Sequence, residues 1–407
     1  MTSSRLLAAS GPGLPDHHAR FGVLPEGCAE GLIGSLDAAG LRGRGGAGFP
    51  TGRKMASITG RRAVVVGNGA EGEPLSCKDA TLVTHAPHLV LDGLQLAAAA
   101  IGATEVYLYL PRRAVPAARY AIDERAGAGL DRHRVVVVEA PDTFIAGEES
   151  AAIRRIEGGR ATPRDRVVPA STSGLRGRPT LVNNVETLAH VALVARYGPR
   201  WFRSVGDPDE PGTMLITSSG TSHRPTVLEV ATGTALTEVL ARSGAEHVGA
   251  VLVGGYHGTW IPASAIPHLR LSRAGLASSG ATPGAGIVHV LAGDQCGLAR
   301  TADVVAYLAE QAAQQCGPCR NGLPLLAQLF DDLAYGRVDD FVLDEIDRIL
   351  GVVDGRGACR HPDGVVRFAR SALRAFAGDV AAHRAGRCAA VLAAVRRTDR
   401  TPAEHSR

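Results

Sequence analysis

Lysine is nearly absent from this chain. Of 44 basic residues only Lys54 and Lys78 are lysine, and the rest are arginine. A lysine ammonium is a compact, flexible point charge, whereas arginine is a planar fork. Lys54 therefore reads as retained for function, and the role of Lys78 is left open. Aromatic residues make up only 4%, too few for the stacking surfaces of nucleic-acid binders. The net charge, 44 − 40 = +4, provides no basic footprint either, so no nucleic-acid partner is expected. No apolar run reaches the roughly 18–20 residues that span a bilayer. The longest, Leu89–Ile101, is interrupted by Asp92 and Gln95. The N-terminus carries a short apolar patch, Leu6–Ser10, without signal-peptide architecture. The chain is accordingly expected in the cytoplasm, not inserted in a membrane, with any membrane link made by a partner. Seven cysteines, an odd count in a long chain, argue against a disulfide framework. The basic tail Arg384–Arg407 reads as a solvated terminus.

What is present is a globular composition. Hydrophobic residues reach 45% over 407 positions, enough for two to four domains. The 50 glycines gather in a few loops. Residues 1–25 read as a loose arm and 26–39 as a helix stopped by Gly40. Strands are expected at Ala63–Gly67, Glu105–Leu110 and Arg134–Glu139. They alternate with helices at Pro87–Ile101, Ala114–Ala126, Glu148–Glu157 and Asn183–Arg196. That alternation predicts an α/β domain with a largely parallel sheet over 26–210. Residues 211–295 turn β-rich, with strands at Thr213–Ser218, Val227–Val230, Ala250–Val253 and Ile287–Leu291 and one helix, Ala235–Arg242. From 296 to 407 the pattern is helical, with segments near 301–314, 319–334, 338–350, 364–378 and 380–396.

Four motifs carry chemistry. The first is a glycine-rich loop, Gly40 to Lys54, whose backbone N–H groups can approach an anion closely. Arg44 and Lys54 add charge for a phosphate. Gly43, Gly45 and Gly48 formally fit the dinucleotide fingerprint, but that fingerprint follows a strand and this loop follows a helix, so a Rossmann dehydrogenase is rejected. The second, Gly67 to Pro74, ends a strand, where α/β proteins bind ligands. It offers Asn68 for a ring edge and Glu71 and Glu73 for hydroxyls or water. The third, Phe144 to Ser150, includes Gly147, Glu148 and Glu149. By itself it reads as acidic residues favouring a helix start. In the fourth, Gly174 to Thr187, the adjacent Asn183 and Asn184 suit either helix capping or clamping of a phosphate or ring edge.

The cysteines form a fifth feature. Cys316-Gly317-Pro318-Cys319 sits at a helix start, and Cys359-Arg360-His361 follows Gly355 and Gly357 about 40 residues later. Soft thiolates in such a pattern favour an iron–sulfur cluster or zinc. An empty site is the third reading. Cys28, Cys77, Cys296 and Cys388 read as packed cysteines.

In this order and spacing, motifs one to four resemble the FMN- and NADH-binding flavoprotein subunit of respiratory complex I. The same module occurs in NAD-linked hydrogenases and formate dehydrogenases. The resemblance covers roughly 26–380. It implies an α/β FMN-binding domain, a β-grasp (ubiquitin-like) domain and a C-terminal helical bundle carrying a [4Fe–4S] cluster. It implies that Gly43, Arg44, Gly45, Lys54, Asn68, Glu71, Gly147, Glu148, Glu149, Asn183, Asn184 and Thr187 line the FMN. Phe49 would stack on the adenine of NADH, and Glu73 and Glu148 would face the nicotinamide side as catalytic groups. Three of the family's four cluster cysteines match Cys316, Cys319 and Cys359. The remaining one aligns with Ala313, and His361 is a candidate replacement ligand.

Other departures bear on the donor. Ala70 stands where the family has Asp, and Phe144 where it has Tyr. Two aromatics expected around the adenine fall at Ser57 and near Val168. Each lost stack costs about 1 kcal/mol, roughly fivefold in affinity. The expected function is an NADH dehydrogenase-type oxidoreductase that passes electrons from NADH through FMN to a cluster and on to a partner protein, ferredoxin-like or membrane-bound. The competing readings are a shuttle fed by ferredoxin and a non-catalytic subunit with zinc or an empty site.

Overall fold

A computed structural model describes residues 4–388 except 166–167, 221–223 and 337. The tail beyond 388, with the end of the helix expected over 380–396 from 389 onward, lies outside the described residues. Three short helices come first: α1 (Leu14–Phe21), α2 (Leu32–Ala39) and α3 (Thr51–Ala56). Then β1 (Val64–Asn68), α4 (Lys78–His85), α5 (Pro87–Ala100), β2 (Glu105–Pro111), α6 (Val115–Gly127) and β3 (Val135–Ala140) alternate. The helices α7 (Glu149–Ile156) and α8 (Ala170–Ser173) precede β4 (Thr180–Asn184), which runs straight into α9 (Val185–Phe202).

These strands form one fully parallel sheet in the order β3-β2-β1-β4. Alternate side chains serve two cores, as the pleat requires. Val65, Leu108 and Leu181 pack with Leu94 of α5 and Leu188 of α9. Val64, Val66, Tyr109 and Val182 face Ile153 and Leu175. The order matters for function. Strands β1 to β3 step in one direction, and β4 returns to the other side of β1. The crevice of such a sheet opens at the carboxyl ends of the two strands flanking that reversal, which here are Asn68 and Asn184.

The second sheet follows: β5 (Thr213–Ser219), β6 (Thr226–Ala231), α10 (Leu236–Arg242), β7 (Val248–Val253), β8 (Thr259–Pro262), α11 (Arg273–Leu276) and β9 (Ile287–Ala292). Its order is β6-β5-β9-β7-β8, mixed, with only β5 and β9 parallel. Ile216, Val251 and Val288 pack against Leu236 and Val239 of α10. Five helices complete the described chain: α12 (Gly297–Glu310), α13 (Leu323–Tyr335), α14 (Asp340–Val353), α15 (His361–Ala375) and α16 (Ala377–Arg384). Their core takes in Leu252 and Trp260 from the second sheet.

Two expectations need correction. The arm is docked rather than loose. Leu6 is fully buried, and the backbone N–H groups of Arg5 and Leu6 donate to the Glu229 carboxylate on β6. Farther along, His17 is buried 2.9 Å from Asp92, which Arg125 and Arg196 also engage. Removing one partner from a buried ion network costs about 3–5 kcal/mol, so this segment is held firmly. The segment from Asn183, expected to begin a helix, is instead the end of β4. The helix starts at Val185 with Asn184 as its cap.

Candidate active site at the reversal point of the parallel sheet

The four motifs converge on the β1–β4 crevice. In the ladder Gly67 lies beside Asn183 and Asn68 beside Asn184, so the second and fourth motifs are neighbours by register. The Asn184 amide donates to the Asn68 carbonyl at 3.3 Å and to Asp79 at 2.6 Å. Its oxygen accepts from Glu186 N–H. The Asn68 amide donates to the Gly147 carbonyl at 2.9 Å, which fastens the third motif. Gly72 permits this closeness: a Cβ there would sit 2.3 Å from the Thr143 carbonyl oxygen.

The glycine loop is a small hairpin between α2 and α3. Gly43 N–H donates to Phe49 O at 2.9 Å, and Arg42 bridges Pro50. The Arg44 backbone N–H donates to Thr187 Oγ1 at 2.8 Å, and Gly45 lies against the Asn184 side chain. Lys54 donates to the Val182 carbonyl at 2.6 Å and to Glu149 at 2.9 Å, leaving one of its three N–H bonds. That single ammonium joins the first, third and fourth motifs.

A hollow of about 150 Å³ opens where they meet, lined by Arg44, Gly45, Asn68, Glu71, Glu73 and Asn184 among others. A second, of about 550 Å³, lies beyond the same turn, lined by Glu148, Glu149, Arg164 and Val168. Phe49 is half-exposed on the hairpin, within cation–π reach of Arg53. A larger hollow of about 640 Å³, under the N-terminal segment near Asp92 and Arg125, contains no motif residue.

Several expected ligands have other work. Both carboxylate oxygens of Glu71 are taken, by Ser76, by the Asp79 and Ala80 N–H groups and by Arg113. This acid closes the start of α4 rather than reaching a sugar. Glu148 accepts from the Ser150 and Ala151 N–H groups through Oε2 and caps α7. Thr187 is buried and clasps Arg44 N–H. The Arg44 guanidinium turns towards Pro211 O, and its burial lowers its pKa. Unpaired buried donors remain on Asn183 Nδ2 and Arg44 Nε.

The residues beneath the hollow were the least legible in the sequence. Lys78 is buried between Asp79 (2.7 Å) and Glu186 (2.8 Å). Although burial opposes its charge, the two carboxylates hold it protonated above the usual lysine range. Asp79, short of charge compensation, is pushed up to about 7 by burial, against the pull of Lys78. The only signal was that Lys78 is one of two lysines. Glu73 is likewise raised to about 7 by burial, partly offset by N–H donors from Tyr256 and Leu75. Its Oε2 accepts from Tyr256 N–H at 2.8 Å, reaching across to the loop between β7 and β8. Gly255, at φ +84°, makes room: a Cβ there would meet Glu73 at 2.6 Å.

At the other end, Cys319 is buried between Cys316 and Cys359, and burial followed by those neighbours pushes it up to about 12. Burial also works against the Cys316 thiolate, but the N–H groups of Ala358 and Cys319 more than compensate and draw it down. A single zinc ion needs its donors about 3.8 Å apart, given Zn–S bonds of about 2.3 Å. Among the described residues these three do not form a group with all donors within 4.8 Å. Cys316 and Cys319 are themselves within hydrogen-bond reach of each other, and the three thiols are soft ligands of the kind an iron–sulfur cluster takes. His361 is not aimed at them. Its Nε2 lies 2.9 Å from the Leu308 carbonyl, so it carries the hydrogen, and its Nδ1 accepts from His257 at 3.1 Å. The expectation that His361 is the fourth ligand is corrected: both its ring nitrogens are taken. It packs instead with Phe144, ring centres 5.6 Å apart, in an aromatic group with Tyr256, His257 and Tyr307.

Known proteins share this arrangement. Residues 36–193 match the family model described as the Nuo51 FMN-binding domain, and 299–383 match the NADH-ubiquinone oxidoreductase-F iron-sulfur binding region. The corresponding NADH-quinone oxidoreductase subunit of Streptomyces coelicolor is 32% identical over 380 residues, covering 88% of this chain and 83% of that one. The chain belongs to the NADH-quinone oxidoreductase F family. The second of two such subunits of Rhizobium meliloti is 30% identical, covering 89% of this chain and 90% of its own. In three dimensions, an NAD+-reducing [NiFe]-hydrogenase in its H2-reduced state aligns with a TM-score of 0.81 at 30% identity, over 93% of this chain and 68% of that one. As a member of this family the chain is an NADH dehydrogenase-type flavoprotein oxidoreductase whose cofactors are FMN and an iron–sulfur cluster. Among the described residues no helix is long and apolar enough to cross a membrane.

Proposed function

We propose that this chain oxidises NADH at the β1–β4 crevice and delivers single electrons, by way of its cysteine end, to a partner protein. When bound, FMN supplies the step from a hydride to single electrons, and the protein supplies position and electrostatics. The observation that carries this reading is the closure of four separate motifs around the Asn68–Asn184 strand ends. The hairpin, closed by the Gly43 N–H to Phe49 O bond, would present the Gly45 backbone N–H, together with the remaining N–H of Lys54, to the phosphate. Asn68, Asn183 and Asn184 would set the ring edge, and Asn183 Nδ2 is a buried donor with no protein partner. Gly147 and Glu149 would complete the wall, with Phe49 at the mouth for the adenine. Glu73, poised at about 7, can hold or release a proton at the rim. Cys316, Cys319 and Cys359 would hold the cluster with three thiolates. Phe144 and His361 would bridge the two ends by their ring contact.

This reading divides the chain into an FMN and NADH domain (26–210), a β-grasp domain (211–295) and a helical cluster-binding domain (296–407), acting in the cytoplasm. One observation favours a second donor. Aromatics that the resemblance implies fall at Ser57 and near Val168, and Val168 lies exposed beside the 550 Å³ hollow. A weakened NADH site suits a flavin fed by reduced ferredoxin. Anaerobic stopped-flow mixing of the FMN-loaded chain separates the two. Bleaching of the flavin by NADH supports the first reading. Bleaching by reduced ferredoxin alone supports the second, and no flavin uptake at all rules out both.

A further inference from the structure

Cys296, His383 and Cys388 belong to none of the motifs above, yet their donor atoms all lie within 4.8 Å of one another. Cys296 precedes α12 as its N-terminal cap residue, and its sulfur faces the N–H groups of Leu298 and Ala299. His383, in the last turn of α16, brings Nε2 to 3.5 Å from Cys296 Sγ. Its Nδ1 lies 3.1 Å from the Leu333 carbonyl oxygen. A carbonyl only accepts, so Nδ1 carries the hydrogen and Nε2 presents its lone pair to the sulfur. A backbone carbonyl on the far nitrogen is how metal-binding imidazoles are oriented. Cys388 lies within hydrogen-bond reach of the Cys296 thiol.

We propose that Cys296, His383 and Cys388 form a zinc site, separate from the cysteines of the electron path. With Zn–S bonds of about 2.3 Å and Zn–N bonds of about 2.0–2.1 Å, tetrahedral geometry sets the S···N edge at roughly 3.6 Å. The observed edge is 3.5 Å. Two thiolates and one imidazole are a borderline-soft donor set that suits zinc, with the fourth position taken by water. Asp379 adds an acceptor close by, receiving Gly297 N–H. All three ligands are half-buried, so an ion can enter. Two of them come from the end of α16 and just beyond it, and the third opens α12. The ion therefore pins the 377–388 segment to the start of the helical region.

The test is metal analysis of the full chain, loaded with FMN and iron and reconstituted with zinc(II). The proposal predicts about one zinc per chain. It predicts near-complete loss of that zinc in His383→Ala and in Cys388→Ser, with iron and FMN at wild-type content. Should a variant lose FMN as well, it has failed to fold and the wild type decides: cobalt(II) in place of zinc must give thiolate charge-transfer absorption. Background zinc in the wild type, zinc that survives both substitutions, a cobalt complex without that band, or a Cys296–Cys388 disulfide would each overturn it.

Discussion

At the ends of β1 and β4, Ala70 and Phe144 stand where the family resemblance implies Asp and Tyr, and the crevice still closes. At the cysteine end Ala313 stands where the resemblance implies a fourth cysteine, and both ring nitrogens of His361 are engaged elsewhere. The first site is built largely from backbone atoms: the Gly67–Asn183 register, the Gly43 to Phe49 hydrogen bond and the Gly147 carbonyl held by Asn68. Such a frame can keep its shape when Ala70 and Phe144 are exchanged, because neither side chain makes these bonds. The second site counts side chains, so each substitution changes its chemistry.

That contrast can be broken most severely at Cys319, buried between the two other thiols. Cys319→Ala is expected to abolish cluster iron while leaving FMN per chain at the wild-type value, read by iron and flavin assay of one preparation. Glu73 tests the seam between the sheets. Its carboxyl is raised from 4.5 to about 7, so the folded state binds its proton more tightly than the unfolded state. The stability it gives is complete below about 4.5 and is lost as pH rises through about 7. Glu73→Gln should flatten that fall, worth about 3 kcal/mol, in denaturant midpoints taken across the window. Lys54→Ala removes the ammonium that ties three motifs. Losing one charge-assisted bond of about 1.4 kcal/mol should weaken FMN retention about tenfold in equilibrium dialysis. The smallest effect is a gain. Val168→Phe restores an aromatic beside the larger hollow and should lower the KM for NADH about fivefold, with kcat unchanged.

Much of the α/β region was legible because its signals are long or punctuated. Val64–Val66 is a β-branched run between loops, and α5 is a long apolar helix opened by Pro87. The strand β4 was not legible. Its five residues pass into α9 with no turn between them, so period-two alternation has no room to show, and the two asparagines resemble helix caps. One of them, Asn184, is both a strand end and a cap. The four-residue β8 was lost for the same reason of length. Glu71 and Glu148 sat in the right loops, but spacing does not reveal which way a carboxylate turns. Helix starts at α4 and α7 claim both, because unpaired N–H groups there bind an anion strongly. The anchoring of the N-terminal segment depended on Asp92, which from sequence only interrupts an apolar run. In three dimensions it gathers His17, Arg125 and Arg196.

The central claim is that the crevice between the first glycine hairpin and Asn184 holds the FMN. Gly45 is exposed and lies 3.2 Å, by a virtual Cβ, from the Asn184 side chain. Gly45→Val therefore fills the crevice without entering the core. Flavin and iron measured together in the purified variant should show FMN lost and iron retained. A variant that keeps wild-type FMN occupancy, with its iron intact, would contradict the account.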